Sequence, residues 1–130
     1  MLREIEFRAW LKNQKQMVKV NAIFFGMELV EIEMKDKVYT GQHFEGIELM
    51  QFTGLKDKNG VKIFEGDIVK AANYPAIEVI YDKESCSFKM KVQYIGWEDL
   101  LILSSNKTPN LEVIGNVWEH KQLLGEENDS

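Results

Sequence analysis

The clearest pattern in the chain is an alternation of apolar and other residues between positions 76 and 92. Ile77, Val79 and Tyr81 occupy every second position, and after a predicted turn at 82–85 a second series begins, made of Cys86, Phe88, Met90 and Val92. Side chains of a strand point alternately to its two faces, so a period of two predicts two half-buried strands. The second strand then places Ser87, Lys89 and Lys91 on the face opposite its apolar residues.

The first half of the chain also predicts strands joined by short turns. The predicted strands are residues 6–10, 17–25, 29–34, 38–40 and 47–52. Turns are expected at Asn13-Gln14-Lys15 and Asp36-Lys37, a break at Gly26, and a loop from Gly41 to Gly46. The short apolar run at 48–51 is ambiguous, because a run of that length also fits a helix, and we favour strand because Phe52 and Thr53 follow.

Two reversals lie close together in the middle of the chain. Asn59-Gly60 is a dipeptide that accepts positive φ at low cost, so it predicts a type I′ hairpin turn. Glu65-Gly66-Asp67 predicts a second turn, with Gly66 supplying the unusual backbone angle. Turns this close leave no room for a helix of ordinary length between them.

The remainder of the chain continues the strand pattern with fewer regular signals. Residues 67–72 and 111–118 are predicted strands, and 104–109 a polar connection. Gly96 to Asp99 is expected to form a short helical turn or loop before 100–103. One helical turn is expected at 119–124, followed by a disordered acidic tail at 125–130.

These elements predict a mainly β protein, with a β-rich α+β fold as the alternative. Strands at regular spacing predict a small antiparallel barrel, SH3-like in the C-terminal half, preceded by an N-terminal β-hairpin region. We expect a single domain over residues 1–124, with the N-terminal β region at about 1–52 and the barrel-like region at about 53–118. Its length of 130 residues fits one domain.

Charge argues against a broad nucleic-acid surface. The formal net charge is −5, and the C-terminal twelve residues alone contribute −3, from four acidic side chains and Lys121. The rest is near neutral and offers no basic footprint for a phosphate backbone, although Lys89 and Lys91 form a local basic pair on one strand face.

Targeting signals and disulfides are not predicted. Cys86 is the single cysteine, and we expect an inert, partly buried thiol at a strand start. Neither a signal peptide nor an apolar run long enough for a membrane span is present in the sequence. The expected location is the cytoplasm of a bacterial host.

No recognisable catalytic, metal or cofactor motif occurs. The glycines are spaced as turns, and one cysteine with His43 and His120 cannot supply a closed zinc site. Trp10, Trp97 and Trp118 are expected in core or edge packing, and the alternative is an aromatic surface for a partner. Together with Lys89 and Lys91 they form the candidate partner surface.

Three blocks of the sequence resemble the YopX family. The main block runs from Gln51 to Gly60 (QFTGLKDKNG) and from Ile63 to Val69 (IFEGDIV). The opening REIEFRAW at 3–10 and the closing LEVIGNVWE at 111–119 resemble the family's two ends, in the family's order. The resemblance implies a phage or prophage origin, and it implies no assigned activity and no catalytic residue.

Three hypotheses about function follow. The leading one is a non-enzymatic accessory or protein-interaction module that forms homo-oligomers, with a host or phage protein as a further partner. The alternative is a small-barrel protein that binds nucleic acid, with basic strand faces beside Tyr81, Phe88, Tyr94 or Trp97. The third is an enzyme of a type that the sequence does not reveal.

Overall fold

The computed structural model describes residues 3–125, and the chain divides into two compact units between Phe52 and Thr53. The strands are β1 (Phe7–Leu11), β2 (Gln16–Phe24), β3 (Leu29–Met34), β4 (Lys37–His43), β5 (Ile47–Lys56), β6 (Lys62–Phe64), β7 (Asp67–Lys70), β8 (Ile77–Asp82), β9 (Ser87–Tyr94), β10 (Trp97–Ile102) and β11 (Glu112–Asn116). Short 3-10 helices lie at Phe25–Met27, Phe44–Gly46, Thr108–Asn110 and Lys121–Leu124. The mainly β prediction is confirmed.

The first unit is an antiparallel sheet in the strand order β4-β3-β2-β1-β5. Its pairings include the hairpin of β1 and β2, with Ala9 opposite Val18, and the pairing of β1 with β5, with Ala9 opposite Leu49. The core holds the apolar residues that alternate along these strands: Ala9, Leu11, Val18, Val20, Val30, Ile32 and Ile47. The predicted N-terminal hairpin is therefore present within a larger sheet.

Strand β4 is longer than the sequence suggested, because Gly41 continues it through a bulge. Val30 pairs with Gln42 and Glu31 with Thr40, which leaves Gly41 without a partner across the pair. Its φ of +92° is an angle that glycine adopts readily. The predicted loop at 41–46 is reduced to the 3-10 helix Phe44–Gly46.

The second unit contains an open five-stranded antiparallel sheet in the order β10-β9-β8-β7-β11. Strands β10 and β11 are its two outer strands, and within residues 3–125 they do not pair with each other, so the predicted barrel is wrong. A barrel closes only when its two outer strands also pair, which β10 and β11 do not do among the described residues. The SH3-like form is not confirmed.

The core of the second unit lies on one face of this sheet. Its buried residues are Ile63, Val69, Ile77, Val79, Met90, Val92, Leu103 and Leu111. Met90 and Val92 of β9 lie opposite Val79 and Ile77 of β8, as the alternation predicted. Lys89 and Lys91 therefore point to the opposite face.

The turn after β5 is organised by one buried carboxylate. Asp57 is only 7% exposed, and its side chain accepts the backbone N–H groups of Asn59, Val61 and Val113 at 2.8–2.9 Å. The N–H of Gly60 donates to the carbonyl of Asp57, and Gly60 has a φ of +81°, whereas Asn59 has no positive φ. The predicted type I′ turn is wrong, because the contacts fit a type I turn followed by a left-handed glycine.

The second predicted reversal is confirmed. Gly66 has a φ of +87°, and the backbone N–H of Phe64 donates to the Asp67 carboxylate at 2.8 Å. The same glycine donates its N–H to the carbonyl of Val79 and accepts the N–H of Val117. The turn thus connects β6 to β7 while its backbone groups are satisfied by β8 and by the end of β11.

Two local predictions in the second unit are corrected. The segment from Gly96 to Asp99 is not a helical turn, because β10 begins at Trp97 and pairs with β9 at once. Cys86 is exposed, in the turn that joins β8 to β9, with a φ of +54°. Asp82 fixes this turn by accepting the Glu84 N–H and the Ser85 hydroxyl, so the strand starts one residue later, at Ser87.

Some expectations remain predictions. The single domain over residues 1–124 is one of them, and the predicted acidic tail lies outside the described residues except for Gly125. Among residues 3–125, no helix has the length and apolar character that crossing a membrane would require.

Candidate functional surface

The hairpin of β9 and β10 carries a stacked pair of aromatic side chains at its turn. Tyr94 and Trp97 flank its two-residue connection, Ile95-Gly96, and lie opposite each other in the register. Their rings stack with centroids 4.2 Å apart and planes 15° apart. Trp97 is 57% exposed and the side chain of Ile95 is fully exposed. This end of the hairpin presents apolar surface to solvent.

The face of β8, β9 and β10 that points away from the core is hereafter the outer face. Paired residues in an antiparallel sheet share a face, so the register assigns its members. They are Glu78, Ile80 and Asp82 of β8, Lys89, Lys91 and Gln93 of β9, and Glu98, Leu100 and Ile102 of β10. Trp97 is on the opposite face of β10, together with Asp99 and Leu101.

Both lysines of the outer face already have acidic partners. The ammonium of Lys89 lies 3.0 Å from the Asp82 carboxylate, and that of Lys91 lies 3.6 Å from Glu98. The Ser85 hydroxyl and then Lys89 lower the pKa of Asp82, which stays ionised and holds its lysine. The outer face therefore carries two ion pairs and one further carboxylate, that of Glu78, which gives it a formal charge of −1.

Two apolar side chains interrupt this charged surface. Leu100 is 40% exposed and Ile102 is 61% exposed, and each is paired across the hairpin with a lysine, Lys91 and Lys89 respectively. Both belong to β10, which is one of the two outer strands of its sheet. An exposed apolar outer strand is a surface on which another chain can pair.

The five residues predicted as a partner surface do not form one cluster. Lys89 and Lys91 lie together on the outer face, and Trp97 lies on the neighbouring strand but on its other face. Trp118 is half-exposed and follows β11, where its N–H donates to the Asn116 side chain. Trp10 belongs to the first unit and is 8% exposed, opposite Met17 and Glu48.

The sequence reasoning did not single out Leu100 and Ile102. The signal was present, because Glu98, Leu100 and Ile102 alternate with Asp99 and Leu101, as in a strand. It was obscured because Leu100-Leu101-Ile102-Leu103 is a continuous apolar run, which a period of two cannot resolve.

Side chains of the types that bind metal ions do not cluster among residues 3–125. No set of three or more His, Cys, Asp or Glu side chains comes together there. His120 instead accepts the backbone N–H of Asn116 at its Nδ1, 3.2 Å away, and so closes the turn after β11. No described residue is assigned to a cofactor.

Comparison with known proteins decides the family. The model of the family described as YopX protein matches residues 6–125, which is nearly the whole chain. The chain belongs to the YopX family. No curated protein matches it.

Two solved structures resemble the chain over most of its length. The crystal structure of protein EF1440 from Enterococcus faecalis is 27% identical, with a TM-score of 0.61, and the match covers 95% of this chain and 99% of that one. The X-ray crystal structure of protein yopX from Bacillus subtilis is 17% identical, with a TM-score of 0.59 and the same coverage. The latter likeness concerns the fold alone.

The polar residues of the main YopX block serve the backbone. Asp57 satisfies three N–H groups, and Thr53 donates to the carbonyl of Ile63 while accepting the N–H of Leu55. Asp67 is buried and holds the Phe64 N–H. In this chain the YopX motif therefore specifies architecture.

Proposed function

We propose that this YopX-family protein is a non-enzymatic accessory protein that acts by protein–protein contact and associates with itself. The observation that carries the proposal is the exposed outer strand β10, with Leu100 and Ile102 on one face and Trp97 on the other. Burial of exposed apolar side chains is the main driving force of association, and tryptophan is enriched at the centres of interfaces.

The biological setting is part of the same proposal. The family resemblance of the sequence supports a phage or prophage origin, and with it a role in the cytoplasm of a bacterial host. A host or phage protein is then the expected partner beside a second copy of the chain. The two ion pairs of the outer face support a protein partner, because uncompensated charge is uncommon at the centre of such interfaces.

Nucleic-acid binding is the second candidate, and one observation favours it. The stacked pair of Tyr94 and Trp97 offers an exposed aromatic platform of the kind on which bases stack. Lys89 and Lys91 support it little, because Asp82 and Glu98 already neutralise them.

Sedimentation velocity distinguishes these functions. The protein is examined over a range of concentrations, alone and with labelled single-stranded and double-stranded DNA and RNA, at low and at high salt. Self-association that depends on protein concentration and leaves the oligonucleotides free supports the proposal. A species that remains monomeric at the highest concentration and co-sediments with an oligonucleotide only at low salt contradicts it and favours the second candidate.

A further inference from the structure

We propose that two copies of the chain pair through β10, antiparallel and with Leu100 opposite Leu100 of the second copy, so that their five-stranded sheets become continuous. This inference rests on the self-association in the proposed function and specifies the surface, the partner and the register. Three observations carry it: the regularity of β10, the direction of its backbone groups and the charges along its outer face.

Strand β10 is more regular than the other outer strands of the described chain. Strand β4 contains the bulge at Gly41, and β11 contains a bulge at Ile114, which is skipped between the pairs of Val113 and Gly115. Strand β6, which pairs with β5 and ends the strand order that begins at β4, has only three residues. Bulges and short length protect an outer strand from pairing with another chain. Strand β10 pairs with β9 over six residues without a shift in register, and has neither protection.

Every second residue of β10 directs its backbone N–H and C=O groups away from β9. The N–H of Leu103 donates to the carbonyl of Phe88, so residues 103, 101, 99 and 97 direct their backbone groups towards β9. The intervening residues Glu98, Leu100 and Ile102 then direct their N–H and C=O groups away from the sheet. They provide three donors and three acceptors for an added strand.

Charge and the number of paired residues select among the registers that these groups allow. An axis at Asp99 or Leu101 would pair only two of the three outward-directed residues with each other. A two-fold axis at Leu100 places Leu100 opposite its own copy and Glu98 opposite Ile102. An axis at Glu98 would place two carboxylates opposite each other, which is unfavourable. An axis at Ile102 would leave Glu98 and Leu100 beyond the end of the paired segment. The register about Leu100 uses all three residues and brings the exposed apolar side chains of both copies together.

The register predicts which cysteines can be linked between copies. Residues directly opposite in a hydrogen-bonded antiparallel pair have Cα atoms about 5.5 Å apart, which is within the range for a disulfide. With the axis at Leu100, the two copies of residue 98 are four positions apart, or about 13 Å. A single cysteine at 100 can therefore form a bridge to its copy, whereas one at 98 cannot.

The test uses the full chain with Cys86→Ser, because the native thiol is exposed. Leu100→Cys, Glu98→Cys and Ile102→Cys are added singly, and each protein is oxidised under mild conditions and separated by non-reducing electrophoresis. We expect Leu100→Cys to shift from 15.1 kDa to about twice that mass, and the other two to remain at background. A mixture of Glu98→Cys and Ile102→Cys should link, because these residues are opposite each other across the axis.

The alternative outcomes are distinguishable when wild-type sedimentation is measured alongside. An equal yield from Glu98→Cys alone, or no link from either Leu100→Cys or the mixture while the wild type sediments as an oligomer, overturns the register and leaves the proposed function standing. A wild type that is monomeric at every concentration overturns both. Circular dichroism of each variant establishes that it is folded.

Discussion

At the scale of single residues, the Asp57 carboxylate connects the central turn to strand β11. It accepts two N–H groups within the turn, from Asn59 and Val61, and a third from Val113. An asparagine at this position would present an amide hydrogen towards one of these donors. We expect Asp57→Asn to lower the free energy of unfolding by about 1–3 kcal/mol, measured by urea denaturation. Asp36→Asn, at an exposed turn residue, is the matched control and should be nearly neutral.

The same contacts make the difference in unfolding free energy between the wild type and Asp57→Asn depend on pH. Burial by itself raises the pKa of Asp57, but the N–H groups of Val113, Val61 and Asn59 outweigh it, so the pKa lies below its ordinary value. A lowered folded-state pKa gives stabilisation that is complete above about pH 4 and lost as the pH falls through the folded-state value.

The stability gap between the wild type and Asp57→Asn should therefore narrow below pH 4. Asp82, whose pKa is also lowered, is present in both proteins and cancels in the comparison. Urea denaturation at a series of pH values measures the gap. A gap that stays constant between pH 6 and the acid limit would show that the ionised form of Asp57 is not what stabilises the turn.

Gly115 lies against the ring of His120, and a substitution there tests this contact. A Cβ atom at Gly115 would lie 2.7 Å from Cγ and Nδ1 of His120, closer than real contacts allow. Accommodating it would displace the ring and break its hydrogen bond from the Asn116 N–H. We expect Gly115→Ala to cost about 1–3 kcal/mol in thermal or urea unfolding. His120→Gly removes the ring and also the His120 Cβ, which would lie 2.9 Å from the new methyl group. In that background the same change should cost much less, and an equal cost in both backgrounds would be inconsistent with this contact.

At the scale of elements, the turn at 57–60 makes different demands on Asn59 and Gly60. Gly60 has a left-handed φ and Asn59 does not. We therefore expect Gly60→Ala to cost about 1–2 kcal/mol, while Asn59→Ala changes stability by less than about 0.5 kcal/mol. A type I′ turn would require positive φ at both residues, so comparable costs in urea denaturation would favour it over the turn described above.

Period-two alternation predicted most of the strands, because it reports directly which residues of a strand face the core. Leu29–Met34 and the residues of β8 and β9 follow it closely. Alternation does not report which strands pair, and the barrel prediction failed for that reason: β10 and β11 are both strands, yet the sheet is open. The Asn59-Gly60 signal also gave the position of a turn but not its type, since the deciding contacts come from Asp57 and β11.

At the scale of the whole molecule, the candidate surface depends on which strands pair, and the alternation of residues along the sequence does not give that. Lys89 and Lys91 were correctly placed on one strand face, but their partners Asp82 and Glu98 follow from the pairing of β8, β9 and β10. The tryptophans were proposed because tryptophan is common at interfaces, yet Trp10 is buried in the first unit. The exposed apolar residues of β10 were not recognised from the sequence. Leu100 and Ile102 are exposed because β10 is an outer strand, and the order of strands in the sheet cannot be seen from alternation along one strand.

The central claim is that the protein associates with itself through β10. Sedimentation velocity of three proteins tests it most directly: the wild type, Leu100→Lys, and Val38→Lys as the matched control. Val38 is also an exposed apolar residue of an outer strand, 54% exposed on β4, but that strand is bulged. The account predicts a concentration-dependent oligomer for the wild type and Val38→Lys, and a folded monomer for Leu100→Lys. An oligomer that persists in Leu100→Lys, or a wild type that is monomeric throughout, would contradict it.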